Sequence, residues 1–329
     1  MPTSPIPFSL LRYLIVWKAN SSLVALSRYF PVELSLVLGT IIAKRLATQE
    51  AAPWHKAMAP LAEYHAEISA KNQNVTKPFP AAAWPLETVL LPYPSKRTFG
   101  KDELILWELK LLGESADHGL FLELILPAME EAGYTSETQW NRPNRLWGHF
   151  EINAVYVAKG ATWEPLVTDG RLDLRYRPTP IQWAEGLTFA APERRTFSRL
   201  NWLTTFDLSE STGSFHSSHE TPETLHVILE ALITRVSRLI SGRHKSREGV
   251  MAILNAGEQA SLQRALEESA RFQLLHKNLQ PAPANWPGAW SGTQTYVPIP
   301  AVLIPYLELA SILHIGKHTH FGCGTFRLS

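Results

Sequence analysis

The stretch TPETLHVILEALITRVSRLISG, residues 221–242, reads as a single amphipathic helix. Thr221 suits an N-cap, and Pro222 suits the first helical position. Leu225, Ile228, Leu229, Leu232, Ile233, Val236, Leu239 and Ile240 recur at helical spacing and form one apolar stripe. Gly242 supplies the C-terminal stop. Such a stripe needs a surface to cover, and the flanking segments offer strands. Leu172–Arg177 and Leu200–Leu208 precede it, with the proline-containing linker Ala190–Glu193 between them. After it come a helix over Ala256–Arg271 and a hairpin arm starting at Phe272. A short helix over Val302–Leu313, broken at Pro305, and a closing strand over Thr325–Leu328 complete the half.

The N-terminal half follows the same logic. Phe8–Trp17 is an apolar, aromatic run suited to a buried strand. A helix is expected from Pro31 to Gln49, with Leu34, Val37, Leu38, Ile41, Ile42 and Leu46 on one face and Lys44 and Arg45 at its end, where cations suit the helix dipole. Residues 52–94 carry seven prolines and read as a long irregular insertion with one short helix over Lys56–Ser69. A strand over Glu103–Leu112, a helix over His118–Ala132 kinked at Pro127, and a strand over Trp147–Val157 follow. Two successive β-α-β-β-α-β halves give an α+β fold of tandem ferredoxin-like (RRM-like) domains, residues 1–165 and 166–329, with a glycine-rich loop at 314–324.

Composition excludes several classes. The chain has 329 residues, 45% hydrophobic and 19% charged, which is incompatible with a disordered polymer. No apolar run reaches the roughly 18 residues needed to span a bilayer. The apolar run near the start is interrupted by Arg12 and has no basic leader or cleavage site, so it reads as a core strand rather than a signal peptide. The single cysteine, Cys323, excludes a disulfide framework and suits a reducing cytoplasm. A net charge of +1 does not mark a nucleic-acid binder, so any basic surface must come from placement. Three arginine groups could provide it. They are Arg235, Arg238, Arg243, His244, Lys245 and Arg247 after the long helix, then Arg194, Arg195 and Arg199, and then Arg142, Arg145 and His149. Trp147, Trp202 and Tyr296 are candidates for stacking on bases, although burial is the ordinary fate of such rings.

The segment HIGKHTHFGCGTFR, residues 314–327, concentrates the chemistry. Gly316, Gly322 and Gly324 permit close backbone approach to a ligand or hold a tight turn, and Lys317 offers a point charge for phosphate. His318 and His320 lie among them. A zinc site from His314, His318, His320 and Cys323 matches no standard finger spacing, and no metal or other cofactor is expected.

The phrase LASILHIGKHTHFGCGTF, residues 309–326, resembles the C-terminal glycine-rich signature of the CRISPR-associated RAMP endoribonucleases that process precursor RNA, the Cas-six family. Leu200–Phe206 is similar to that family's strand ending in "TPl", with threonine in place of proline. Leu225–Leu239 resembles its helix ending in "RlsrL", and Leu104–Gly113 followed by Leu120–Gly133 resembles its first-domain strand and helix. Residues 290–300 lack the arginine-rich phrase many relatives carry there.

The resemblance implies tandem ferredoxin-like domains and metal-independent cleavage of a CRISPR repeat stem-loop. The 2′-OH attacks the adjacent phosphate and leaves a 2′,3′-cyclic phosphate. It also implies a crRNA product retained with other effector-complex subunits, or a subunit that binds crRNA without cutting. It implies a catalytic histidine after the first helix, here His55, with Lys56 or Lys44 stabilising charge, His65 lying further on. Histidine suits proton transfer near neutral pH. Gly316, Lys317, His318, His320, Gly322 and Gly324, with the basic residues after the long helix, are the expected RNA contacts. His216 and His219 read as members of a solvated loop. A two-metal nuclease is disfavoured by the lack of a compact carboxylate cluster in the sequence.

Overall fold

A computed structural model describes residues 4–28, 30–70, 79–93, 96–135, 144–187, 189, 196–209, 224–240, 246–272, 274–283 and 285–329. The chain divides into two compact units, Ser9–Trp183 and Ala184–Ser329 with Met1–Phe8.

The first unit is built on β1 (Leu10–Ala19), α1 (Phe30–Arg45), α2 (Thr48–Ala70), β2 (Thr88–Pro92), β3 (Leu104–Leu112), α3 (Leu126–Tyr134), β4 (Phe150–Lys159) and β5 (Thr162–Thr168). The sheet runs β2-β3-β1-β4-β5, antiparallel throughout. Without α2 and β5 this is the split βαββαβ order of a ferredoxin-like domain. Strand alternation sends Tyr13, Ile15 and Trp17 into the core. Trp17 packs on Trp107 and Phe150 at centroid distances of 5.2 and 4.1 Å. Tyr13 stacks on Phe121 at 4.0 Å. Burying such rings is the main stabilising term of this core, at about 1.5–3 kcal/mol for each large side chain. An aspartate-glycine turn at Asp169–Gly170, with both residues at positive φ, folds Arg171–Leu172 back on β5.

The opposite sheet face carries a buried ionic group. Arg12 Nε on β1 lies 2.6 Å from Glu108 Oε1 on β3, and the Tyr93 hydroxyl donates to the other carboxylate oxygen. Lys110 Nζ lies 3.9 Å from Glu108. Burial alone raises the Glu108 carboxyl, but Arg12, Lys110 and Tyr93 outweigh it and carry its pKa down to about 2. The folded value is depressed. The stabilisation is therefore full above the ordinary carboxylate range and is lost as pH falls toward about 2. Glu108→Gln should cost about 1–3 kcal/mol at neutral pH. That difference should shrink on acidification in melts of the two proteins. A pH-independent difference would remove the ion pair from the account.

The second unit comprises β6 (Arg199–Trp202), α4 (Leu225–Leu239), α5 (Arg247–Ala252), α6 (Ala256–Ser269), β7 (Leu274–Pro281), β8 (Trp290–Tyr296), α7 (Ile304–Leu313) and β9 (Phe326–Leu328). Its sheet order β7-β8-β6-β9 repeats the ferredoxin-like pattern, with α5 and α6 inserted after α4. Leu200, Trp202, Gln294, Tyr296 and Phe326 are buried on one face. The indole N–H of Trp202 donates to Gln294 at 2.8 Å, and its ring stacks on Phe206 at 3.7 Å. Both halves therefore have the expected fold class.

Several local expectations change. Residues 48–70 form one long helix, although it contains Pro53 and Pro60. Both prolines are exposed, so the carbonyls they leave unbonded can take water. Trp54, Met58, Leu61 and Tyr64 bury the other side. The apolar run at 88–91 is the second strand of the first sheet. At Pro127 the helical run widens into a π-segment, Phe121–Ile125, just before the ring, which accommodates the missing N–H. Pro305 starts α7 rather than breaking it. The expected strands at 172–177 and 200–208 shorten to Arg171–Leu172 and β6. The proposed helix cap at Thr221–Pro222 lies outside the described residues. Residues 166–183 belong with the first unit. Gln182 ties them there, its Nε2 donating to the Ala158 carbonyl at 3.0 Å and its carbonyl accepting from Gly160 N at 3.0 Å.

Candidate nucleic-acid interface

The glycine-rich loop is held to the rest of the second unit by backbone. Ile315 N donates to Gly324 O at 3.1 Å, Gly324 N to Thr205 O at 2.9 Å, and Lys317 N to Asp207 O at 2.8 Å. Gly316 and Gly324 have φ of +87° and +83°. A Cβ on Gly316 would lie 2.2 Å from the Asp207 carbonyl oxygen, and one on Gly324 would lie 1.9 Å from that of Ile315. These two glycines are required by close approach within the protein itself.

His314 is a second staple. It leaves α7 at φ +58° and is wholly buried. Its Nδ1 lies 3.1 Å from Gly322 O and 3.0 Å from Cys323 O. Both partners are carbonyls, so Nδ1 carries the hydrogen and donates. Arg235 supports the same junction from α4, its Nε donating to Leu313 O at 3.4 Å at the end of α7. A cation there complements the helix dipole. Cys323 is buried 3.4 Å from the Thr205 hydroxyl, and burial pushes its thiol up to about 12. It is therefore an inert core residue. A short 3-10 turn, Thr319–Phe321, lies between His318 and Gly322, both left-handed.

This framework sorts the expected RNA contacts. Gly316, Lys317 and His318 form the partly exposed rim of the loop, while His320, Gly322 and Gly324 are buried. The His320 ring lies edge-on to Phe321 at 4.9 Å. Lys317 shares its ammonium with Asp207 Oδ2 at 3.8 Å. Arg235 is buried and holds α7, so it is corrected from a surface contact to an internal cap. Arg238 is exposed, Arg247 pairs with Glu230 at 3.0 Å, and Arg243 and Lys245 lie outside the described residues. So do Arg142, Arg194, Arg195, His216 and His219. Trp147, Trp202 and Tyr296 are core residues and offer no ring to a base. Trp147 donates to Glu33 at 2.7 Å.

The expected catalytic group sits in the first unit. His55 and Lys56 occupy the outer face of α2, opposite buried Trp54 and Met58, not a loop. Lys44 is exposed in the last turn of α1. Only residues 46 and 47 separate the two helices; Lys44 lies beside that link and His55 about two helical turns beyond it. Among the described residues, no three His, Cys, Asp or Glu side chains converge as a metal site would require. Among the same residues, no helix is long and apolar enough to cross a membrane.

Asp207 and Thr205, which anchor the loop, were not legible beforehand, because their partners lie more than a hundred residues away. Arg235 was legible: it lies three residues after Leu232 and four before Leu239, on the apolar stripe.

No protein-family model matches the sequence, and no curated protein matches it. Solved structures do. The "Partial Cas6-RT-Cas1–Cas2 complex" aligns with a TM-score of 0.51 and 10% identity, over 99% of this chain and 47% of that one. The chain shares its fold with this Cas6-containing structure. The "Cas6-RT-Cas1–Cas2 complex" gives the same TM-score and identity over 99% of this chain and 29% of that one. The chain thus spans about half, or less, of these two chains, and at this identity the likeness is one of fold.

Proposed function

We propose that this chain binds CRISPR repeat RNA and cleaves precursor crRNA without a metal ion. The observation that carries the reading is the pair of ferredoxin-like units, the second of which holds a backbone-bonded glycine loop whose rim presents Lys317 and His318. The structural relatives named Cas6 support it. In this reading His55 takes the proton of the ribose 2′-OH, or returns one to the 5′-oxygen, and Lys56 and Lys44 stabilise the phosphorane. The 2′-oxygen bonds to phosphorus as the P–O5′ bond breaks, leaving a 2′,3′-cyclic phosphate and a 5′-OH. Lys317 and Arg238 engage phosphates, and the product crRNA stays bound for assembly with other CRISPR subunits in the cytoplasm.

The deciding experiment incubates the protein with its cognate repeat RNA in excess EDTA and analyses the product ends. Cutting should persist and yield a cyclic phosphate. A 2′-deoxy substitution at the cut nucleotide should abolish cutting while binding survives. Cleavage that stops in EDTA overturns the mechanism. Binding without cleavage of any repeat RNA makes the chain a crRNA-binding subunit instead.

A further inference from the structure

The two sheets differ on the faces that carry no helices. In the first unit that face holds the buried Arg12–Glu108 pair. In the second unit the register places Arg199 and Asn201 of β6, Thr293 of β8, Arg327 of β9, and His276 and Asn278 of β7 on the face opposite buried Leu200, Trp202 and Gln294. Arg199, Arg327, His276 and Asn278 are exposed there, and Asn201 and Thr293 are partly so. The four strands contain no aspartate or glutamate. The central amide is already oriented: Thr293 Oγ1 donates to Asn201 Oδ1 at 3.0 Å, and Asn201 Nδ2 donates to Ser329 Oγ at 2.8 Å.

We propose that this open face seats an unpaired, single-stranded segment of the RNA, and this rests on the RNA-binding reading above. Charge and chemistry select that occupant. Arg199 and Arg327 bring positive charge with no carboxylate on the strands to oppose it, which suits a phosphate backbone. Asn201, Asn278 and Thr293 offer short donors and acceptors on a flat surface, which reach base edges only where the bases are splayed out of a helix. Duplex RNA hides those edges in a deep, narrow groove. A protein partner is a poorer fit, because an interface core needs contiguous apolar area, and the exposed large apolar side chains nearby, Leu203, Leu275 and Val297, sit at or just beyond strand ends rather than on the polar centre of the face. No Phe, Tyr or Trp ring from these strands lies on the open face, which leaves His276 as its one stacking ring, so binding should depend strongly on salt and weakly on base identity.

The test measures binding of the full chain to a short oligouridylate and to a blunt-ended RNA hairpin across a salt series. The proteins are wild type, Arg199→Ala/Arg327→Ala, and Asn201→Ala, each checked by thermal melting. The double variant should weaken oligouridylate binding by about tenfold or more. It should lower the slope of log affinity against log salt by about 1.4, two lost contacts at ~0.7 each for a single strand. Hairpin binding should stay within a few fold. Should the double variant melt early, Arg199→Gln/Arg327→Gln makes the same comparison with the side-chain length kept. If wild type and variants bind the oligouridylate equally, or wild type binds only the hairpin, this proposal fails while the RNA-binding reading stands. If wild type binds neither RNA, both fail.

Discussion

His55→Ala should lower the single-turnover cleavage rate by about 10²–10⁴-fold and leave repeat-RNA affinity within a few fold. The fold makes this a clean measurement. His55 lies on the exposed side of α2, and the helix is held by Trp54, Met58 and Leu61 on its other side. Trp54 packs against Trp84 at 5.5 Å, a contact the substitution does not touch. Alanine is also the better helix former, so the melting temperature should hold or rise slightly. A drop in rate without a drop in stability can then be assigned to proton transfer. Lys56→Ala and Lys44→Ala should each cost less, because they stabilise charge from a flexible stem rather than move a proton. A His55→Ala rate within a few fold of wild type would remove α2 from the chemistry. His65, one helix face further on and partly exposed, would then be the next residue to substitute.

The architecture was more legible in the sequence than the site. The stripe from Leu225 to Leu239 and the helix before the terminal loop fixed the second domain, because a 3.6-residue period leaves few alternatives. The first domain was partly hidden by proline. Pro53 and Pro60 read as breakers, yet an exposed helix face tolerates them, and the short strand Thr88–Pro92 was masked by the prolines around it. The site was harder because burial is a tertiary property. Nothing local distinguishes His318, on the loop rim, from His320, two residues on and inside the core. Strand alternation would have exposed Arg199 and Asn201 as neighbours of buried Leu200 and Trp202, but only once the short strand was delimited.

Gly324→Ala should be the most damaging small substitution in the second unit, while Gly170→Ala separates its two causes. Both glycines sit at positive φ, +83° and +71°. An L-residue in that region costs roughly 1–2 kcal/mol by backbone sterics alone. At Gly170 a Cβ would meet nothing within 4 Å, so this conformational cost is the whole effect. At Gly324 the Cβ would also lie 1.9 Å from the Ile315 carbonyl oxygen, a backbone atom that cannot rotate away. Relief requires the loop to separate from residue 315. That breaks the Ile315–Gly324 hydrogen bond and disturbs the carbonyls of Gly322 and Cys323 that hold His314. Added to the φ cost, this puts Gly324→Ala at about 3–5 kcal/mol, or on the order of 6–20 °C in Tm at roughly 2–4 °C per kcal/mol for a unit of this size. RNA binding should fall with it even at temperatures where the protein remains folded, because the rim at Lys317 is carried on the same frame. Thermal melts of the two variants beside wild type, with RNA affinity measured well below each transition, distinguish the cases. Equal losses at positions 170 and 324 would mean that φ alone matters and that the loop is not a clamped element.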